Sequence, residues 1–181
     1  MISDEKIAKL VNNFRSAIVT AKENGCFTIN NHYPFNKFPQ ACCGNTSYLL
    51  AEYLKTKGIP SIWVSAVRND WSHAWLVIKD ERVRLPQKQT CVPPADIQQV
   101  LKAYGSENPI CEKTGYDWND IKNGLIVDIT ADQFEDFDEE VYVGYLNSFY
   151  NGFDFRNAHD CNGIQDDDRL SRIYEIINEY L

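Results

Sequence analysis

The sequence predicts an α+β domain: an antiparallel sheet packed against a helix that carries a nucleophile at its N-terminus, with further helices on the flanks. Three observations carry that expectation. Helical periodicity marks both ends of the chain, at Ser3–Glu23 and Arg169–Tyr180. Short apolar strand patterns at 61–67, 71–79 and 125–130 are separated by turn residues. Between the first helix and the first strand, Phe38-Pro39-Gln40-Ala41-Cys42-Cys43-Gly44 delivers a cysteine to a helix start.

Length and composition bound the reading. At 181 residues, 44% hydrophobic and 13% aromatic, the chain suits one domain spanning 1–181 with a sizeable core. The formal charge of −8 argues against nucleic acid, because phosphate binding needs a basic footprint. No apolar run approaches membrane-spanning length. The opening Met-Ile-Ser-Asp-Glu-Lys shows no secretory pattern. Six cysteines are scattered without a CxxC pair, which favours reduced thiols and a cytoplasmic setting over a disulfide framework.

In the first helix, Ser3 is the expected cap and Asp4 and Glu5 suit the first turn. Ile7, Leu10, Val11, Phe14 and Ile18 form one apolar face, and nothing on this helix suggests chemistry. Residues 26–40 read as a loop rich in Asn, Pro and aromatics, with His32 a loop histidine. A helix over about Asn45–Lys57 follows, with Gly44–Ser47 as cap-type residues, Leu50, Tyr53 and Leu54 on one face, and Gly58 as the stop.

Ser61–Val67 and Trp71–Lys79 predict a hairpin about Arg68-Asn69-Asp70, and Arg82–Leu85 suggests a short added strand. Residues 86–123 read as an insertion over one side of the core, with a helix at Ala95–Tyr104. Leu125–Thr130 is the next strand and Val141–Gly144 a further one. The acidic run from Glu135 to Glu140 is a solvated face, residues 146–156 are turn-rich, and His159-Asp160-Cys161 is placed in a loop. Asp166–Asp168 lead the closing helix, whose inward residues are Leu170, Ile173, Ile176 and Ile177.

Chemistry concentrates in three places. A thiol at a helix start feels the positive end of the helix dipole, which favours the thiolate. Alternation in the second strand places His73, Trp75 and Val77 on one face and Ala74, Leu76 and Ile78 on the other. Apolar residues on both faces make this strand central. Asp128 lies inside Leu-Ile-Val-Asp-Ile, where a carboxylate is costly unless paired, and an imidazole on an adjacent strand is the natural partner. Cysteine, histidine and aspartate also form a conceivable zinc set, but Cys42 and Cys43 are adjacent and could not easily share one tetrahedral ion. No metal or other cofactor is expected.

This order of cysteine, histidine and aspartate resembles the transglutaminase-like branch of the papain-like cysteine enzymes. Ser72-His73-Ala74-Trp75 and Ile126-Val127-Asp128-Ile129-Thr130-Ala131-Asp132-Gln133-Phe134 are similar to uncharacterised bacterial proteins of that kind. The resemblance covers roughly residues 38–134. It implies a papain-like core with Cys43 as nucleophile, His73 as general base and acid, and Asp128 as orienter, where papain itself has an asparagine. Cys42 is the rival nucleophile; Gly44 directly after Cys43 leaves room for a substrate carbonyl. Oxyanion donors would be the Cys43 backbone N–H and the Gln40 side chain.

The implied activity is a cysteine-dependent hydrolase or acyltransferase acting on an amide or isopeptide bond of a protein or peptide. The rival expectation, motivated by the net charge and the acidic runs, is a catalytically silent binding or immunity protein that neutralises a basic partner.

Overall fold

A computed structural model describes residues 2–85, 89–91, 111–113, 115–164 and 167–181. Among these, six α-helices surround a five-stranded antiparallel sheet of order β6-β5-β2-β1-β7. Helix α1 (Asp4–Glu23) begins where Ser3 accepts the Lys6 N–H, and Asp4 and Glu5 occupy its first turn as expected. The segment read as loop contains the short helix α2 (Ile29–His32) and a 3₁₀ turn at Phe35–Lys37.

Helix α3 (Cys43–Thr56) starts two residues earlier than the sequence pattern suggested, with Cys42 at the cap and no side-chain capping bond. Gly44–Ser47 therefore lie inside the first turns rather than ahead of them. Ala41 stands immediately before the cap at φ 57°, a left-handed conformation that costs a β-carbon residue of order 1–3 kcal/mol. That turn brings the chain into the helix without a polar cap. The far end of α3 follows the expected pattern: Gly58, at φ +73°, ends the helix in a geometry other residues resist.

Strands β1 (Ser61–Arg68) and β2 (Trp71–Ile78) form the predicted hairpin, paired from Ser61↔Ile78 to Arg68↔Trp71. Strand β2 lies between β1 and β5, which explains its burial on both faces. Arg82–Leu85 is not a strand. Val83 N–H closes a turn onto Asp80 O, and Arg84 N–H donates to Asp120 O. A separate two-stranded ribbon is made by β3 (Gln89–Cys91) and β4 (Cys111–Lys113). The helix expected at Ala95–Tyr104 lies outside the described residues. Helix α4 (Trp118–Ile121) leads to β5 (Ile126–Asp128), and β6 (Tyr142–Gly144) closes that edge.

Strand β5 is shorter than the apolar pattern implied. The Asp128 carboxylate accepts the Thr130 N–H at 2.8 Å, a local turn that takes the chain out of the ladder and into a 3₁₀ turn at Ala131–Gln133. Helix α5 (Ser148–Asn151) occupies the aromatic, turn-rich stretch. His159-Asp160-Cys161 does not form a loop: it ends β7 (Asp154–Cys161), which pairs with β1 along the opposite edge. Its polar sequence hid it, because an edge strand exposed on one side needs few apolar residues. Helix α6 (Asp168–Asn178) closes the chain, capped by Asp167.

The sheet separates two cores. On one face, Val11, Phe14 and Ile18 of α1, Leu50 and Leu54 of α3, and Ile173 and Ile177 of α6 pack on Leu76, Ile78 and Val127. On the other, Ile62, Val64, Trp75, Val77 and Ile126 pack against Phe149, Tyr150 and Phe153. The two faces of β2 thus divide as strand alternation requires. No helix among the described residues is long and apolar enough to cross a membrane.

Candidate active site

The sheet register brings the histidine to the aspartate. Leu76 pairs with Val127, so Asp128 leaves β5 on the same face as His73 and Trp75 and diagonally across from the imidazole. His73 Nε2 and Asp128 Oδ2 lie 2.6 Å apart. Both side chains are buried, at 1% and 3% relative exposure. The carboxylate has further partners: Thr130 N–H at 2.8 Å and Thr130 Oγ1 at 3.0 Å on Oδ1, and the Tyr150 hydroxyl at 3.1 Å on Oδ2. A buried carboxylate supplied with this many donors stays ionised at little cost. Burial alone pushes the Asp128 acid upward, yet His73 and the Thr130 donors hold it below its ordinary value.

The other imidazole edge faces the α3 start. Cys43 stands near enough to His73 and to the backbone of Ala74, the strand neighbour of the histidine, for both to favour its thiolate. Ser47, one turn along α3, donates to Cys43 O at 2.8 Å and to Ala74 O at 3.3 Å. The hydroxyl pins the helix start to the strand that carries His73. Burial raises the Cys43 thiol, but the His73 hydrogen bond and charge, with the Ala74 backbone, outweigh it and bring the thiol below an ordinary cysteine. Burial likewise opposes the imidazolium, and the Asp128 charge and hydrogen bond reverse this, lifting His73 to about 9. These surroundings shift Cys43 toward the thiolate and His73 toward the imidazolium.

Cys42, the rival nucleophile, differs in every respect. It is 2% exposed and its sulfur points back to Pro39 O at 3.1 Å. Burial pushes it up to about 12. Gln40, expected as an oxyanion donor, is an exposed turn residue whose backbone N–H bonds Lys37 O at 2.9 Å. Among the described residues its side chain makes no hydrogen bond, and the amide at the imidazole belongs to a different glutamine. Gln133 Nε2 sits 3.3 Å from His73 Nδ1 and donates to Thr130 O at 2.9 Å. Gln133 lies within the stretch that carries the resemblance, yet nothing in the one-dimensional pattern separates it from a turn residue. Tyr150 was hidden for another reason, because an aromatic in an apolar segment reads as core.

Rings enclose the imidazole. Phe134 meets it edge-on at 5.0 Å, with Trp75 at 5.6 Å and Phe153 at 5.7 Å. This wall keeps water from His73 and Asp128, while Cys43 remains partly exposed. Gly44 leaves room next to Cys43 in the chain: apart from its chain neighbours and its own helix backbone, a β-carbon there would meet, among the described residues, only the Trp63 ring, at 4.0 Å. Trp63 stacks on Tyr48 at 5.6 Å, so an aromatic surface runs from the helix start along α3. His32 stays local, accepting Thr28 N–H at 3.1 Å. Among the described residues no group of three or more His, Cys, Asp or Glu side chains is arranged to hold a metal ion.

Comparison of the chain with protein-family models, with curated proteins and with solved structures gives no match.

Proposed function

We propose that the protein is a cysteine-dependent hydrolase or acyltransferase that works through Cys43, His73 and Asp128, on an arrangement of the papain and transglutaminase kind. The observation that supports it most is the buried 2.6 Å His73–Asp128 contact, with Cys43 at a helix start where the histidine lowers its pKa. A buried imidazole–carboxylate pair satisfied by Thr130 and Tyr150 could be structural by itself. A partly exposed thiol with a lowered pKa on its other side has no such use.

The chemistry follows from the proton positions. The Cys43 thiolate attacks the amide carbonyl carbon, and the carbonyl π pair moves onto oxygen. The Cys43 N–H lies in the first turn of α3, where backbone donors lack helical acceptors, and it faces the developing oxyanion. Gln133 Nε2 supplies a second donor in place of Gln40. Its contact with Nδ1 belongs to the neutral imidazole and is released when that nitrogen carries a proton toward the sulfur. The imidazolium then gives its proton to the leaving nitrogen, the C–N bond breaks, and an acyl thioester remains. Water or an amine is deprotonated by His73 and attacks the thioester, and the Cys43 thiolate leaves. Asp128 keeps Nε2–H engaged throughout and so holds Nδ1 toward the sulfur.

The test is the pH profile of alkylation of Cys43 by iodoacetamide, followed by mass spectrometry. A reactive limb well below that of an ordinary thiol, lost in His73→Ala, supports the reading. A profile like that of a free thiol, unchanged in His73→Ala, overturns it.

A further inference from the structure

Helix α1 reads in the sequence as scaffold, yet it sends one charged side chain into the core. Arg15 is 6% exposed, at the centre of a face otherwise made of Val11, Phe14 and Ile18. A guanidinium in that position is costly unless its donors are met. Nε is left without a hydrogen-bond partner, and the hydrogen bonds of the two Nη groups all go to one short segment. Nη1 donates to Ile129 O and to Asp132 Oδ1 at 3.0 Å, and Nη2 donates to Asp132 Oδ2 at 2.7 Å. Among the described residues the other carboxylate near the fork is Glu140, 3.6 Å from Nε and 74% exposed, where solvent weakens it.

The segment so gripped is the one that supports His73. Ile129 directly follows Asp128, and Asp132 directly precedes Gln133. Arg15 therefore fastens the turn between the carboxylate on Nε2 and the amide beside Nδ1. Within that turn, Thr130 supplies two donors to Asp128 and the acceptor for Gln133. The same guanidinium lies 5.1 Å over the ring of Phe38, and two turns along α1 Lys22 Nζ donates to Phe38 O at 2.6 Å. Phe38 opens the turn that ends at Cys43. Both catalytic segments thus lean on one face of α1, and β5 is too short to hold residues 129–133 by ladder bonds.

We infer that Arg15, through its fork on Ile129 O and the Asp132 carboxylate, is a positioning residue that keeps Asp128 and Gln133 in register with His73 and Cys43. The inference rests on the thiol reading proposed above, and it extends the working site to a helix that touches none of the reacting atoms. A bidentate fork suits this task because it fixes direction as well as distance, which a lysine ammonium cannot do.

The experiment measures iodoacetamide labelling of Cys43 against pH in the full-length protein and in folded variants, with thermal melting as a parallel readout. Arg15→Met leaves Asp132 buried without its partner. Arg15→Met/Asp132→Leu removes both charges together, so it keeps net charge and avoids an orphaned acid. Arg15→Lys keeps the charge without the fork. The expected result is a low-pH reactive limb in the wild type that moves upward in all three variants. Labelling near pH 6 then slows by about tenfold or more, as for a thiol whose pKa rises by about one unit. A purely structural role would lower the melting temperature and leave the limb in place. A low limb in the wild type that persists in the folded double variant and in Arg15→Lys overturns the inference. A wild-type profile like that of an ordinary thiol overturns the triad reading itself and with it any positioning role. If Arg15→Met does not fold, the double variant and the lysine variant decide alone.

Discussion

Cys42 and Cys43 are joined by one peptide bond and sit in opposite electrical surroundings. Cys42 turns its sulfur back into the core toward Pro39 O, among Phe38 and the α1 face, and burial drives its proton affinity up. Cys43 stays partly exposed beside an imidazole whose positive charge is supported by a buried carboxylate. The histidines repeat the contrast. His73 and His159 both lie in strands beside aromatic rings, but among the described residues His159 has a Tyr48 hydroxyl at 3.4 Å and no carboxylate bond. The neighbouring Asp160 serves Lys79 and Tyr116 instead. Burial therefore lowers His159, whereas the Asp128 contact raises His73. Residue type decides little here, and the partner on the adjacent strand decides the charge state.

The sharpest way to break this comparison is to remove each sulfur in turn. A thiol with a pKa of about 12 is thiolate in on the order of 10⁻⁵ of molecules at pH 7. Cys43→Ser should therefore abolish fast alkylation near neutral pH, and Cys42→Ser should leave it nearly unchanged, as read by peptide mass spectrometry. Fast labelling retained in Cys43→Ser would reverse the assignment of the two sulfurs.

Next in size is Asp128→Asn. It removes the charge that raises His73, so the imidazole titrates lower and the thiolate limb moves up. Labelling near pH 6 should fall by on the order of 10²-fold, equivalent to about two pKa units. Nuclear magnetic resonance of the His73 ring checks the cause directly.

Stability against pH gives a third and subtler effect. Folded His73 keeps its proton up to about 9, against an ordinary 6.5, so its contribution is complete below 6.5 and is lost as pH rises through about 9. Folded Cys43 is lowered from 9.0, so its contribution is complete above that value and is lost as pH falls through the lowered one. The two slopes oppose one another, so the stability of the wild type in urea titrations should fall less between 6.5 and 9 than His73 alone would make it. Cys43→Ser removes one slope. Its stability should then fall with rising pH across the same window, by on the order of 1–3 kcal/mol. A flat profile in that variant would mean that His73 is not raised in the folded state.

Smaller still is Tyr150→Phe, which deletes one of several donors to Asp128. It should cost about 1 kcal/mol in urea melts and change labelling by only a few-fold. His159→Ala should leave the labelling profile unchanged, and any marked shift there would show that the two histidines share one network.

Much of the fold could be read along the chain. Ile7, Val11, Phe14 and Ile18 repeat at helical spacing, and Leu76 and Ile78 alternate with His73, Trp75 and Val77. Burial of a face has a period, and a period is visible in one dimension. Strand β7 was not legible, because its edge position lets polar residues such as Asn157 and Asp160 stand in a ladder. The α3 start was misread by two residues because a backbone turn at Ala41 replaces the side-chain cap that sequence reasoning looks for.

The candidate site divides the same way. A lone acid inside Leu-Ile-Val-Asp-Ile and a lone imidazole inside Ser-His-Ala-Trp announce themselves by being costly to bury without partners, so the sequence alone singled out His73 and Asp128 as a matched pair. It also marked Cys43 by its place before Gly44 at a helix start. Which glutamine faces the imidazole, and that Tyr150 and Arg15 attend the carboxylate segment, was decided only by tertiary structure. Those contacts join residues from about 20 to more than 100 positions apart, and a hydrogen bond across the fold leaves no period or local propensity in the chain that makes it.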